Sequence, residues 1–244
     1  MSLPNDKPLQ KLQFYVTTAY SCGYLPNQLA QSLIAAPQHL VNTDIYSGLI
    51  RQGFRRSGKF VYRPHCEQCQ ACIPVRIIID AFEPNRSQKR AFRQHQNLTA
   101  TILPAAFYDE HYKLYEAYQL TRHFDESKET DSNESENEIE QYQSFLCQSN
   151  VETVMVEFRE NEQLKMVSVI DVVHDGISAV YTFYDTTDPK ASYGTYNVMW
   201  QAAWAKGLNL PYLYLGYWIK NSRKMAYKQN YKPLEKLIDD EWVR

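Results

Sequence analysis

No apolar run in this chain approaches the roughly 18 residues that a membrane-spanning helix requires. The first 25 residues, MSLPNDKPLQKLQFYVTTAYSCGYL, lack a basic start followed by an apolar stretch, so no signal peptide is expected and a cytosolic location is. Only 8 of 244 residues are glycine. None of them falls in GxxxxGK[ST] or GxGxxG, so neither a P-loop nor a dinucleotide fingerprint is present, and no ATP site is read. Five cysteines in a reducing compartment stay as thiols rather than disulfides.

What is present is unevenly placed. The net charge of −2 hides a segregation. Residues 125–140, DESKETDSNESENEIE, hold eight acids and one lysine. Residues 51–93 hold ten Lys/Arg against Glu67, Asp80 and Glu83, and 220–232 hold five basic residues and no acid. Basic patches interleaved with aromatics are the electrostatic footprint of a nucleic-acid binder, although solvated cationic faces are common. RPHCEQCQAC (63–72) spaces Cys66, Cys69 and Cys72 three residues apart.

Patterning gives a coarse outline. Residues 26–40 read as a loop and short helix. SGLIRQGFRRSGKFVYRPHC (47–66) reads as a hairpin turning at Ser57-Gly58, and IPVRIIID (73–80) as a buried strand. Residues 85–98 read as a basic helix capped by Asn85, and 105–124 as a Tyr-rich amphipathic helix. The acidic stretch lacks apolar periodicity and reads as a mobile loop. A helical pattern resumes at 141–149, where Cys147 reads as a small buried residue. Three strand-like runs follow from 151, then a helix at 193–207, a strand at 212–218 and a helix at 222–230. Meander, helix, strand, helix matches a GNAT-like acyltransferase core of the α/β (α+β) class. In that fold the sheet splays to admit an acyl donor. The expected organisation is an N-terminal Cys-containing basic domain, 1–100, and a GNAT-like domain, 101–244, carrying the acidic loop 125–140.

Several blocks carry a resemblance. CGYLP, GFRRSGKFVYRPHCEQCQACIPVRI, RSQKR, TRH, SAVYTFYD and YLYLGYWIKNSRKMAYKQNYKPLE occur nearly in the order found in the bacterial aminoacyl-tRNA–protein transferases. The chain resembles that family over essentially its whole length except the acidic loop. It looks most like the leucyl branch, which adds Leu from Leu-tRNA to proteins starting with Asp or Glu and so marks them for degradation in the N-degron pathway. The resemblance implies an aminoacyltransferase whose partners are Leu-tRNA and such proteins, with no membrane and no cofactor required for the chemistry. Arginyl transfer, a CoA-dependent acetyltransferase and a non-catalytic zinc-ribbon RNA-binding protein are the competing readings. A single glycine, Gly194, in ASYGTYN (191–197) speaks against a CoA pyrophosphate turn.

The reaction sets the candidates. Asp171, a carboxylate in the apolar run VSVIDVV, could take the acceptor amine's proton or brace a turn. Tyr181 and Ser178 complete the candidate catalytic set, although no elbow motif surrounds Ser178. Arg55, Arg56 and Arg76 could hold the acceptor carboxylate, and Tyr184, Asp185 and Trp218 could line the substrate cleft. Arg86, Lys89, Arg90, Lys220, Arg223, Lys224 and Lys228 are candidates for tRNA. A metal centre wants four ligands, and Cys22 is the natural fourth beside Cys66, Cys69 and Cys72. Arginyl relatives carry CGYC where this chain has Leu25, so the ligand set is rearranged. Zinc, an iron–sulfur cluster and packed metal-free thiols all remain open.

Overall fold

The computed structural model describes residues 11–122 and 134–244. Four short strands open the chain: β1 (Gln13–Val16), β2 (Tyr20–Ser21), β3 (Leu29–Ala30) and β4 (Ser32–Ala36). Helix α1 (Thr43–Arg51) follows, then β5 (Arg55–Ser57), β6 (Phe60–Pro64), β7 (Ile73–Ile78) and α2 (Arg86–Gln94). Next come β8 (Thr99–Pro104), α3 (Asp109–Arg122), α4 (Glu134–Tyr142), β9 (Thr153–Glu160), β10 (Gln163–Val173) and β11 (Gly176–Tyr184). The chain ends with α5 (Tyr193–Gly207), β12 (Tyr212–Trp218), β13 (Leu234–Ile238) and β14 (Glu241–Val243).

The expected meander, helix and strand are present, in the order expected of a GNAT-like core. An eight-stranded sheet runs β14-β13-β7-β12-β11-β10-β9-β8, and a four-stranded sheet runs β1-β4-β6-β5. Strand β7 pairs with β12 on one side and β13 on the other, so a strand from before residue 100 lies inside the sheet that carries the meander.

Strand alternation dictates how the sheet is covered. Val156, Phe158, Met166, Ile170 and Ile177 face α2 and α5, while their neighbours Met155, Val167, Val169 and Phe183 face Tyr142 and Leu146 on the other side. Asn85 caps α2 as read from the sequence: its side chain accepts from the Gln88 amide, and the Gln88 side chain accepts from the Asn85 amide.

Four readings need correction. Residues 26–40 form β3, β4 and one 3-10 turn at Gln38–Leu40, because β4 fills the gap between β1 and β6 and pairing overrides its helix-forming Ala and Leu. The first part of the expected hairpin is α1, started by Asn42, whose side chain accepts from the Ile45 amide. The hairpin is only β5–β6, with its turn at Gly58-Lys59. The last expected helix is a single 3-10 turn, Ala226–Asn230. Of the acidic stretch, 134–140 is helical rather than loop, and 125–133 lies outside the described residues.

Gly58 fixes the hairpin in place. Its φ is +59°, its amide donates to the Phe145 carbonyl at 3.1 Å, and a Cβ there would sit 2.1 Å from the Ser144 carbonyl oxygen. Gly58→Ala should cost more than the roughly 1–3 kcal/mol of a strained backbone, because the hairpin must also retreat. Thermal unfolding with an unchanged Tm would contradict this contact.

Candidate active site

The site begins where two parallel strands part. β11 pairs with β12 only over Gly176–Ser178 against Tyr212–Tyr214. Beyond that point each lip carries an extra residue. Val169 and Ile170 of β10 oppose Tyr181 and Ala179, which leaves Val180 over, and Tyr214 and Gly216 of β12 oppose Arg76 and Val75, which leaves Leu215 over. Bulges add twist and free backbone groups from the ladder, so the strands splay.

Arg55 from β5 reaches into this gap. Its guanidinium donates to Ser178 Oγ at 2.7 Å and to the Ala179 carbonyl that the splay leaves unpaired by β12. It lies flat on Gly216, whose φ is +81°; a Cβ there would meet Arg55 Nε at 3.2 Å. One arginine thus joins both lips.

Its neighbour Arg56 points the other way. Arg56 Nε lies 2.8 Å from both Asp171 oxygens, and Nη2 donates to Oδ1 at 2.6 Å. Thr153 Oγ1 adds a donor to Oδ1 at 2.8 Å. Asp171 is fully buried, and its carboxylate is taken up by these donors. The geometry favours the brace over the proton acceptor, because both carboxylate oxygens are held by donors inside the protein and neither reaches its surface.

The other sequence candidates fall into two groups. Arg76 is committed: Nε donates to Glu235 Oε2 at 2.8 Å, and the guanidinium is stacked 3.5 Å from the Tyr212 ring centre and 4.2 Å from that of Trp242. Tyr181 packs against Phe145 and Tyr115, and burial pushes its phenol well above the ordinary value. Asp185 caps a turn. Burial raises its pKa, but hydrogen bonds from Thr187 and Lys165 more than offset this and hold it low. Trp218 is buried, with Nε1 donating to the Ala226 carbonyl, so its ring is not presented for base stacking. Ser178 and Tyr184 do lie at the gap: Ser178 holds Arg55, and Tyr184 packs on Tyr118 and against Tyr193 in the first turn of α5.

Arg86, Lys89 and Arg90 are exposed on α2, and Lys220, Arg223 and Lys224 are exposed after β12. Gln88 Nε2 donates to the Asn230 carbonyl, which sets the two basic segments side by side.

Lys228 is not on that face. It is 6% exposed, and its ammonium donates to the Tyr217 carbonyl at 2.8 Å and touches Met225 Sδ at 3.2 Å. The cause is the 3-10 turn, which rolls Lys228 inward where a helix would have aligned it with Lys220 and Lys224. Burial, then the charge of Arg55, pushes its pKa from 10.5 down to about 7, with Cys72 pulling the other way. A lysine with a lowered folded-state pKa binds fewer protons folded than unfolded between about pH 7 and 10.5. Stability therefore rises with pH across that window. Lys228→Met should raise Tm more at pH 6 than at pH 9; equal shifts would show that the ammonium is not held in this environment.

Cys22, Cys66, Cys69 and Cys72 line one cavity of about 1010 Å³ together with Tyr62 and Tyr217. Burial, then the thiols of Cys22, Cys66 and Cys69, pushes Cys72 up to about 12. Four thiols suit zinc or an iron–sulfur cluster chemically. Among the described residues, however, no three His, Cys, Asp or Glu side chains stand close enough to share an ion. Cys147 lies apart in the turn after α4, half-buried.

Comparison with known proteins decides the family. Residues 20–90 match the family model "Arginine-tRNA-protein transferase, N terminus", and 110–238 match the C-terminus model. The chain belongs to the arginine-tRNA-protein transferase family. It is an aminoacyltransferase. It is 63% identical to an aspartate/glutamate leucyltransferase of Methylobacillus flagellatus, over 99% of this chain and 95% of that one. It is 52% identical to proteins of the same name from Nitrosospira multiformis (99% of this chain, 94% of that one) and Thiobacillus denitrificans (98% and 97%). Among solved structures, L-PGS from Bacillus licheniformis overlays 62% of this chain and 48% of its own with a TM-score of 0.44 at 12% identity, too slight a likeness to bear on function. No described helix is long and apolar enough to cross a membrane.

The deciding local signals were partly visible in the sequence. Arg55 stands in a resemblance block, but nothing local distinguishes it from Arg56. Gly216 in YLYLGYW was a signal, since an isolated glycine inside a strand pattern marks a bulge or a close approach.

Proposed function

We propose that the chain transfers leucine from Leu-tRNA to the α-amine of proteins that begin with Asp or Glu, marking them for degradation. The observation that carries this reading is the splay between β11 and β12 with Arg55 across its mouth, in a chain 63% identical to an aspartate/glutamate leucyltransferase. The leucyl ester enters between the lips, where the bulged backbone offers unpaired groups. The acceptor amine, with an ordinary pKa of about 7.7–8, is partly neutral near pH 7 and needs no covalent enzyme intermediate. Its nitrogen forms a bond to the ester carbonyl carbon and gives up one proton. The carbon–oxygen bond to the ribose then breaks, and the ribose 3′ oxygen leaves with a proton. Positioning is the largest contribution this site makes.

The exposed cations of α2 and of the segment after β12 follow the acceptor stem. Replacing Arg86, Lys89 and Arg90 together by Ala should reduce the salt dependence of tRNA binding by roughly one unit of slope per lost phosphate contact. An unchanged slope would place the tRNA elsewhere. A metal centre at Cys22, Cys66, Cys69 and Cys72 would tie the 22–28 loop to the 66–72 loop, and no step of the transfer runs through it.

The test is a matrix of donors and acceptors. Leu-tRNA with Glu- or Asp-starting peptides should give product, and Arg-tRNA or Ala-starting peptides should give far less. A preference for Arg-tRNA would move the chain to the arginyl branch.

A further inference from the structure

Three cations line one cavity without a carboxylate partner. The space of about 730 Å³ beside β13 is walled by Lys232, Lys236 and Arg244, and Glu83 is the one carboxylate residue among the described residues on its wall. Arg56, Arg76, Arg159 and Lys165 each form an ion pair elsewhere in the fold; among the described residues these three form none. Lys236 is held by a ring instead, with Nζ 4.4 Å from the centre of Trp218. An aromatic face orients an ammonium and leaves its charge in place.

The register of the sheet fixes where this cavity lies. Lys236 pairs with Val75, and Val75 pairs with Gly216, so the three stand in one row across β13, β7 and β12. Residues opposed in this way share a face of the sheet, and two strand spacings put Lys236 about 10 Å from Gly216. On another side the cavity reaches α2, since Asn230 on its wall accepts from Gln88 Nε2 at 3.1 Å. It therefore adjoins both the exposed cations of α2 and the lip at Gly216. Its volume admits a nucleotide and not only an ion.

We propose that Lys232, Lys236 and Arg244 seat a backbone phosphate of the unpaired 3′ end of the donor RNA. This rests on the tRNA-dependent reading above. Distance decides which part of the RNA is held. A stacked strand advances roughly 3.4 Å per nucleotide, so 10 Å from the ester spans about three nucleotides, fewer if the strand is extended. That is the single-stranded end and not the paired stem, which is left to α2. Lysine ammoniums on a ring and an arginine fork suit a phosphate that must be held at one place along a strand, and so set how far the ester reaches into the gap. A free nucleotide carries the same phosphate chemistry, and the experiment separates the two sources.

Filter binding compares an uncharged RNA hairpin that ends in a single-stranded ACCA with the same hairpin made blunt. The proteins are the wild type and the triple variant Lys232→Gln, Lys236→Gln, Arg244→Gln. Circular dichroism confirms folding, and the double variant Lys232→Gln, Arg244→Gln serves if the triple fails to fold, since both residues are exposed. The wild type should prefer the overhang by about tenfold at roughly 0.1 M salt, and the variant should lose most of that preference. Its salt slope on the overhang RNA should fall by roughly 0.7 for each single-strand phosphate lost, while blunt-hairpin affinity stays as in the wild type. No overhang preference in the wild type, or the same preference in a folded variant, overturns the proposal. So does an equal loss on both hairpins, which would make this a stem contact. Titration with AMP is the remaining arm: AMP binding as tight as the overhang RNA, and abolished in the variant, would make this a free-nucleotide site and overturn the proposal too. No transfer is required, so failure to transfer leucine would count against the proposed reaction and not against this cavity.

Discussion

Arg56→Met should destabilise the protein by about 3–5 kcal/mol, the cost of leaving one partner of a buried ion pair alone. The Asp171 carboxylate has no exposed surface, and three of its four close contacts come from Arg56. Nη1 of Arg56 also donates to the Gly58 carbonyl, so the pair joins the hairpin turn to the centre of β10. Losing it removes the support that aims Arg55, one residue earlier. Asp171→Leu combined with Arg56→Met should recover much of the loss, because two apolar side chains avoid the uncompensated charge. Urea denaturation of the two variants is the check. A single variant whose midpoint matches wild type would show that the pair is not buried as described, and would return Asp171 to the catalytic candidates.

Gly216→Val should abolish most transfer, by about 100-fold in kcat/KM, with a smaller effect on stability. Two physical causes act together. A β-branched residue at φ +81° is strained, and its Cβ would meet Arg55 at 3.2 Å before the branch is counted. The guanidinium must move off the lip, and displacements near 1 Å in a positioning residue cost about that factor. Gly216→Ala should show the same direction more weakly. Wild-type kcat/KM in a folded Gly216→Val would mean that the lip does not position substrate.

The meander, both flanking helices and the capped basic helix were legible because each has a strong local pattern: alternating β-branched runs, Asp175-Gly176 at the turn, and Asn85 three residues before Gln88. What misled was local pattern overruled by pairing. LIAA reads as helix until β1 and β6 claim it, and SRKMAYKQN reads as helix until Lys228 turns inward. The site was legible as a set of residue types and not as roles. Arg55, Arg56 and Arg76 look alike in sequence. The structure separates them by what they face, since two of them meet a carboxylate from far along the chain and the third meets none among the described residues. No local pattern could show that Asp171 lies opposite Arg56 at a separation of 115 residues.

The account stands or falls on where the leucyl group binds. A crystal structure with a non-hydrolysable 3′-leucylamido-adenosine should place the leucyl carbonyl between Ala179 of β11 and Gly216 of β12, beside the Arg55 guanidinium. Finding it instead in the second cavity, the space of about 730 Å³ lined by Lys232, Lys236 and Arg244, would contradict it.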